Sequence, residues 1–262
     1  MSSLRLHVER RGAGAPIVFA HGFAGSARNW RGQLRALEAS ARVIAFDARG
    51  HARSDAPDDA ASYVPARFVD DLAGLIEAEA GGPAVVVGLS MGTGVALRLA
   101  VARPELVRGL ALLSHPTPAS APGQLEWALE FATALERDGL EVAGERYAWG
   151  ERARFDPKGA ALIRAGFLEH RPRALAHVLR ELIALQPAPG EISGELRAIS
   201  APAVVVAGSD DARSLEPSRD LAAILRDAEL VVLEGAGHVV NLSRPREVEA
   251  AIERLVERAS RA

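Results

Sequence analysis

The chemistry with the clearest signature in this chain is nucleophilic attack by a serine. Residues 84–94 read Ala-Val-Val-Val-Gly-Leu-Ser-Met-Gly-Thr-Gly. An apolar strand runs into Gly88-x-Ser90-x-Gly92 and then into a helix with Met91, Val95 and Leu99 on one face. Such an elbow forces strained backbone on the serine, so the residues two before and two after it must be tiny, as Gly88 and Gly92 are. It also leaves Ser90 at the start of a helix, where backbone N–H groups point at developing negative charge. A dinucleotide-binding turn would need glycine or alanine at position 97, and Leu97 stands there instead.

A serine hydroxyl is a poor nucleophile at neutral pH and needs a histidine oriented by a carboxylate. The apolar run 230–233 leads into Glu234-Gly-Ala-Gly-His238, a histidine on a glycine-rich loop past a strand's carboxyl end. The run 203–207 leads into Gly208-Ser-Asp210-Asp211, which supplies two carboxylates on a comparable loop; either could orient His238. Residues 20–25, Ala-His-Gly-Phe-Ala-Gly, follow the run 16–20 in the same way, so their N–H groups should lie at the same sheet edge as Ser90.

These loops demand a scaffold that brings several strand ends to one edge. Apolar runs at 16–20, 42–46, 84–87 and 110–114 alternate with helical stripes such as Trp30, Leu34, Leu37 and Phe68, Leu72, Leu75, Ile76. The alternation predicts βαβ crossovers and a mostly parallel sheet of roughly seven strands or more, covered by helices on both faces. The polar N-terminus, residues 1–11, reads as a strand pair, and the chain ends in a helix carrying Val248, Ile252, Leu255 and Val256. Between 115 and 200 no strand-like run occurs. Helical stripes follow one another instead, Leu125, Leu129, Ala132, Leu135 and then Leu175, Val178, Leu179, Leu182, bracketed by Pro116, Pro118, Pro122 and by Pro187, Pro189, Gly190. The expected division is a core, 1–114, a helical cap, 115–200, inserted after the sixth strand, and a second core part, 201–262. Open parallel sheets bind ligands outside their strands' carboxyl ends, so the cap is expected to lie over the site as a lid.

Composition narrows the field. The chain has 262 residues, 48% hydrophobic and 25% charged, with 31 Lys+Arg against 34 Asp+Glu and a net charge of −3. That is an ordinary globular balance with a sizeable core. No cysteine is present, which excludes a disulfide framework and any cysteine nucleophile or ligand. The arginines are interleaved with acids and form no basic face, which argues against nucleic acid as a partner. The longest apolar stretch, 84–97, is broken by Ser90, Thr93 and glycines and is too short to span a bilayer. No apolar targeting segment opens the chain, so a cytoplasmic location is expected. His7, His115, His170 and His177 read as surface or lid residues, and no residues have metal-ligand spacing, so neither metal nor cofactor is expected.

Taken together, the chain resembles the α/β-hydrolase superfamily from about residue 4 to 114 and from 200 to the end. His21-Gly22-Phe23, Asp47-Ala-Arg49-Gly50-His51, Gly88-x-Ser90-x-Gly92, Gly208-x-x-Asp211 and Gly235-x-Gly237-His238 occur in the family's order. The resemblance implies an α/β-hydrolase fold with Ser90 as nucleophile and His238 as base. It selects Asp211 over Asp210, because the family's acid follows glycine by three positions, and it places an oxyanion hole on the backbone N–H groups of Phe23 and Met91. His21, Asp47, Arg49 and His51 become structural residues. Ala52 departs from the pattern, which usually has glycine there, so the loop's backbone is expected to differ at that point.

The implied activity is cleavage of a carboxylic ester or lactone of a small to medium, largely apolar molecule through an acyl-enzyme. Among the family's branches the chain looks similar to bacterial carboxylesterases and to 3-oxoadipate enol-lactonase-like proteins. Serine at the elbow, in place of aspartate, sets the chain apart from the haloalkane dehalogenase and epoxide hydrolase branches. Trp127, Phe131, Trp149 and Phe167 are the candidate apolar pocket residues, and Arg152, Arg154, Arg171 or Arg173 would serve a charged lactone. The same triad serves carbon–carbon bond hydrolases, thioesterases and perhydrolases, and some members of the fold are small-molecule receptors, so those readings stay open. So does the oligomeric state, monomer or homodimer.

Overall fold

The computed structural model describes residues 4–149 and 157–261. The strands are β1 (Val8–Arg11), β2 (Pro16–Ala20), β3 (Arg42–Phe46), β4 (Ala84–Leu89), β5 (Val107–Leu113), β6 (Ala203–Gly208) and β7 (Ala228–Leu233). They form one sheet in the order β1-β3-β2-β4-β5-β6-β7. β1 runs antiparallel to β3, and every other neighbouring pair is parallel. The helices are α1 (Arg31–Leu37), α2 (Pro65–Leu75), α3 (Met91–Ala102), α4 (Gln124–Gly144), α5 (Pro157–Phe167), α6 (Pro172–Glu181), α7 (Ser193–Ala198), α8 (Ala212–Ile224), α9 (Val240–Ser243) and α10 (Pro245–Ala259).

Alternate residues of the central strands serve different layers, which is why β2, β4 and β6 are apolar throughout. Val85 and Val87 pack with Leu34 and Leu37 of α1 and with Val248, Ile252 and Leu255 of α10. Val86, between them, packs on the other face with Phe68 and Leu72 of α2, Val95 of α3 and Leu221 of α8. The fold is that of the α/β hydrolases.

The N-terminus gives one strand rather than a pair among the described residues, because the N–H groups of Arg5 and His7 donate to Asp55 Oδ2 and Ser54 Oγ, each at 2.8 Å, instead of to a strand. The helical segment α4–α7 therefore leaves the sheet after its fifth strand, not a sixth. In α4 the expected stripe is rotated: Leu125 and Leu129 are exposed, while Ala128, Phe131, Ala132 and Leu135 are buried. Aromatic bulk at 131 outweighs the leucines in choosing the face. The α6 stripe of Leu175, Val178 and Leu179, with Leu182 beyond it, is buried as its spacing predicts. No helix among the described residues is long and apolar enough to cross a membrane.

Ala52 adopts φ 40°, in the left-handed region where glycine sits without strain. Ala52→Gly is therefore expected to stabilise the protein by about 1 kcal/mol, even though glycine loosens the unfolded chain. Thermal melting should show a rise in Tm of roughly 2–4 °C; a fall would mean that the left-handed backbone here carries no strain.

Candidate active site

β3 lies on one side of β2 and β4 on the other. The connections leaving β2 and β4 diverge, the arrangement at which open parallel sheets bind ligands. Residues 21–25 follow β2 and Ser90 follows β4 at that edge.

Ser90 caps α3 at φ 51°, ψ −115°, a strained conformation for a residue with a side chain. Its N–H donates to the Leu113 carbonyl at 2.9 Å, which ties the turn to the end of β5. A Cβ on Gly88 would lie 2.6 Å from the carbonyl carbon and oxygen of Gly92, and one on Gly92 would collide with the Ala20 carbonyl oxygen. The elbow is thus closed upon itself and pressed against the end of β2. A Cβ on Gly22 would be 3.4 Å from that of Ser90, so the 21–25 turn runs alongside the serine. Phe23, next in that turn, and Met91, first in α3, flank Ser90 from two elements.

β7 is three strand spacings from β4, about 14 Å, so a histidine following β7 must reach back over the sheet edge. The 234–238 loop does so by crossing the end of β6. A Cβ on Gly208 would collide with the Ala236 carbonyl oxygen, and the Asp210 N–H donates to that oxygen at 3.0 Å. His238 Nδ1 lies 2.7 Å from Asp211 Oδ2 and donates to it. Nε2, the remaining nitrogen, then carries the lone pair. Asp210 is exposed, and its Oδ1 accepts from Ser209 Oγ at 3.1 Å. The geometry brings Asp211, not Asp210, to His238. No hydrogen bond joins Ser90 to His238 among the described residues; such bonds commonly tighten only when substrate is bound.

Burial alone would raise the Asp211 pKa, but the hydrogen bond and charge of His238, with hydrogen bonds from Ser214, outweigh it and hold the carboxyl below its usual range. Ser214, buried in the first turn of α8, places Oγ 3.2 Å from His238 Nδ1. Its only sequence signal is the spacing of three from Asp211, which puts both at the same helix end.

The surrounding residues build the floor. His21 Nε2 accepts from the Ala48 N–H at 2.9 Å, so the ring's proton sits on Nδ1, which donates to the Gly22 carbonyl at 2.7 Å. Asp47 accepts from the Ala27 N–H and the Arg53 guanidinium, and Arg49 makes a two-pronged bond with Asp71 at 2.7 and 2.6 Å. The His21 and Asp47 bonds pin the 21–27 segment to the 47–53 loop, and the Arg49–Asp71 pair ties that loop to α2. His115, expected at the surface or on the lid, is instead buried: Thr93 Oγ1 donates to the Ser90 carbonyl at 2.7 Å and accepts from His115 Nδ1 at 3.0 Å. His170 and His177 are buried as well. Among the described residues no group of His, Asp and Glu is arranged to hold a metal ion.

Burial pushes the His21 pKa down to about 4 and that of His115 to about 3, and His51 falls well below its ordinary value for the same reason. Unfolding returns each ring to about 6.5, so from pH 6.5 downward the unfolded chain takes up protons that the native state refuses. Stability is complete above that pH and is lost as pH falls toward 4, by about 1.4 kcal/mol per pH unit for each such ring. Melting curves should show Tm dropping steeply between pH 6.5 and 4.5; a flat profile would contradict the neutral burial of these rings.

The four aromatic pocket candidates pack on one another. Phe131 and Phe167 stack with an interplanar angle of 4°, Trp127 meets Phe131 edge-on at 5.6 Å, and Trp149 meets Phe167 edge-on at 5.2 Å. Phe131, Phe167 and Trp149 are buried, Trp127 partly so. Phe131 also meets Phe23 edge-on at 5.8 Å, which joins this aromatic group to the turn beside Ser90. Arg171 and Arg173 are exposed; Arg152 and Arg154 lie outside the described residues.

A family model described as "Alpha/beta hydrolase family" matches residues 17–251. An epoxide hydrolase of Caballeronia sordidicola is 40% identical over 116 residues, 44% of this chain and 35% of that protein, so the chain's match spans about a third of that relative. An (E)-2-((N-methylformamido)methylene)succinate hydrolase of Acinetobacter baylyi is 26% identical over 254 residues, 96% of this chain and 94% of that protein. The solved structure of a thermophilic esterase from Thermogutta terrifontis, with malate bound, superposes with a TM-score of 0.86 at 28% identity, covering 98% of this chain and 94% of that one.

Proposed function

The chain belongs to the alpha/beta hydrolase family, and from that premise we propose that it is a serine hydrolase cleaving a carboxylic ester or lactone of a small to medium, largely apolar molecule. The observation that carries the reading is the 2.7 Å bond between His238 Nδ1 and Asp211, on loops past the carboxyl ends of strands in the same sheet whose β4 leads into the strained Ser90. In the proposed cycle His238 Nε2 takes the Ser90 proton as Oγ attacks the substrate carbonyl. The N–H groups of Phe23 and Met91 hold the oxyanion, the leaving alcohol takes the proton from His238, and water then hydrolyses the acyl-Ser90 ester. An epoxide hydrolase of the alkyl-enzyme type needs a carboxylate at the elbow. The hydroxyl at position 90 does not supply one, which favours acyl transfer over epoxide opening.

The 115–200 segment is proposed as the cap over this site, with the core divided as 1–114 and 201–262. Trp127, Phe131, Trp149 and Phe167 would supply its apolar side, of which Phe131 abuts the oxyanion turn at Phe23. The partner is then a small-molecule ester or lactone, and no step needs a cofactor. Hydrolysis of p-nitrophenyl esters from acetate to decanoate tests the reading. Turnover peaking at one chain length is expected, and a protein inert toward every ester, and toward lactones, would overturn it.

A further inference from the structure

Beneath the cap, the turn that carries Phe23 is held from two directions. Its first residue, His21, is bonded to Ala48, and Ala27 beyond its end is bonded to Asp47, both within the core. Between those anchors, residues 22–26 bond to one another, to His21 Nδ1 through the Gly22 carbonyl, and to Asn29. Among the described residues, the hydrogen bond that reaches residues 22–26 from a distant segment comes from His170, whose Nε2 lies 3.1 Å from the Gly25 carbonyl oxygen. His170 is only 6% exposed, and burial keeps its ring neutral with a single N–H, which on Nε2 donates to Gly25, so Nδ1, 3.0 Å from the Phe167 carbonyl at the end of α5, makes no hydrogen bond there. Phe167 stacks on Phe131, which meets Phe23 edge-on, and next to His170 an ion pair joins Glu169 to Arg28. Two routes therefore run from the end of α5 to the turn: one polar, through His170 to Gly25, and one apolar, through Phe131 to Phe23.

We propose that His170 is a positioning residue that fixes the oxyanion turn from the cap, so that the Phe23 N–H is aimed correctly only while the end of α5 is docked on residues 25–28. The inference rests on the proposed function for its kinetic consequence, though not for its structural one. An oxyanion donor acts in the transition state rather than on bound substrate. Loosening it should thus lower kcat and leave KM nearly alone, whereas damage to a pocket wall would raise KM. Nε2–H donation to Gly25 is the contact that matters, and a glutamine amide can reproduce it.

The test compares wild type, His170→Ala and His170→Gln. For His170→Ala, kcat on the best p-nitrophenyl ester should fall about 10- to 100-fold with KM within about twofold. His170→Gln should recover most of the loss, and amide hydrogen exchange in a peptide covering residues 20–28 should quicken in the alanine variant and not in the glutamine one. An unchanged kcat, a change confined to KM, or glutamine no better than alanine would overturn the proposal. If the alanine variant is too unstable to assay, the glutamine variant decides: kcat and exchange close to wild type support the contact, and losses overturn it. Should wild type show no Ser90-dependent turnover, the functional reading fails by itself. The exchange comparison then decides alone, with faster exchange at 20–28 upholding the clasp and unchanged exchange refuting it.

Discussion

Ser90→Ala is expected to lower kcat on any ester the protein hydrolyses by about four to six orders of magnitude, leaving a residue of rate from binding and the oxyanion donors. The effect is large because the proposed reaction has no path around the covalent step: without Oγ there is no acyl-enzyme, and His238 has no hydroxyl to deprotonate. The substitution should be mild for the fold. Ser90 occupies φ 51° with its backbone N–H on Leu113 and its carbonyl on Thr93, and alanine keeps both bonds. Side-by-side melting and kinetics check this. A loss of activity matched by a collapse of Tm would mean that the serine holds the elbow rather than performs chemistry.

Asp211→Asn should cost about 10⁴-fold in kcat, while Asp210→Asn should stay within about twofold. The carboxylate accepts the proton of His238 Nδ1, which leaves Nε2 with the lone pair that must receive the serine proton. An asparagine can present its NH₂ to Nδ1 instead, and the ring then carries its proton on Nε2, where it cannot act as a base. Asp210 is exposed and bonded to Ser209, so it has no hold on the imidazole. Kinetics of the two variants decide between neighbouring carboxylates of equal charge. The reverse ranking would reassign the acid.

The parts of this architecture that can be read from the residues are those with local causes. Gly88 is required by its contact with Gly92 within the elbow, while Gly92 is required by the Ala20 carbonyl at the end of β2, and β4 is continuously apolar because Val85, Val86 and Val87 serve two layers in turn. The proximity of Asp211 to His238 follows from loops leaving neighbouring parallel strands. What depends on distant packing is not legible in the same way. Leu125 and Leu129 have the spacing of a buried stripe, yet Phe131 turns the helix so that its own face is covered. His115 and His170 have no motif around them, and their burial comes from α3 and α8 in one case and from the 22–28 turn in the other. Ser214 is recognisable only once α8 is known to begin at Ala212.

The measurement closest to the central claim is covalent. Incubating the protein with a fluorophosphonate, which phosphonylates an activated serine and mimics the acylation step, and then mapping the modified peptide by mass spectrometry, reads out the nucleophile without any assumption about substrate. One equivalent of label is expected, located on Ser90 and absent from Ser90→Ala. Label on another serine, or none on a protein that turns over esters, would contradict it.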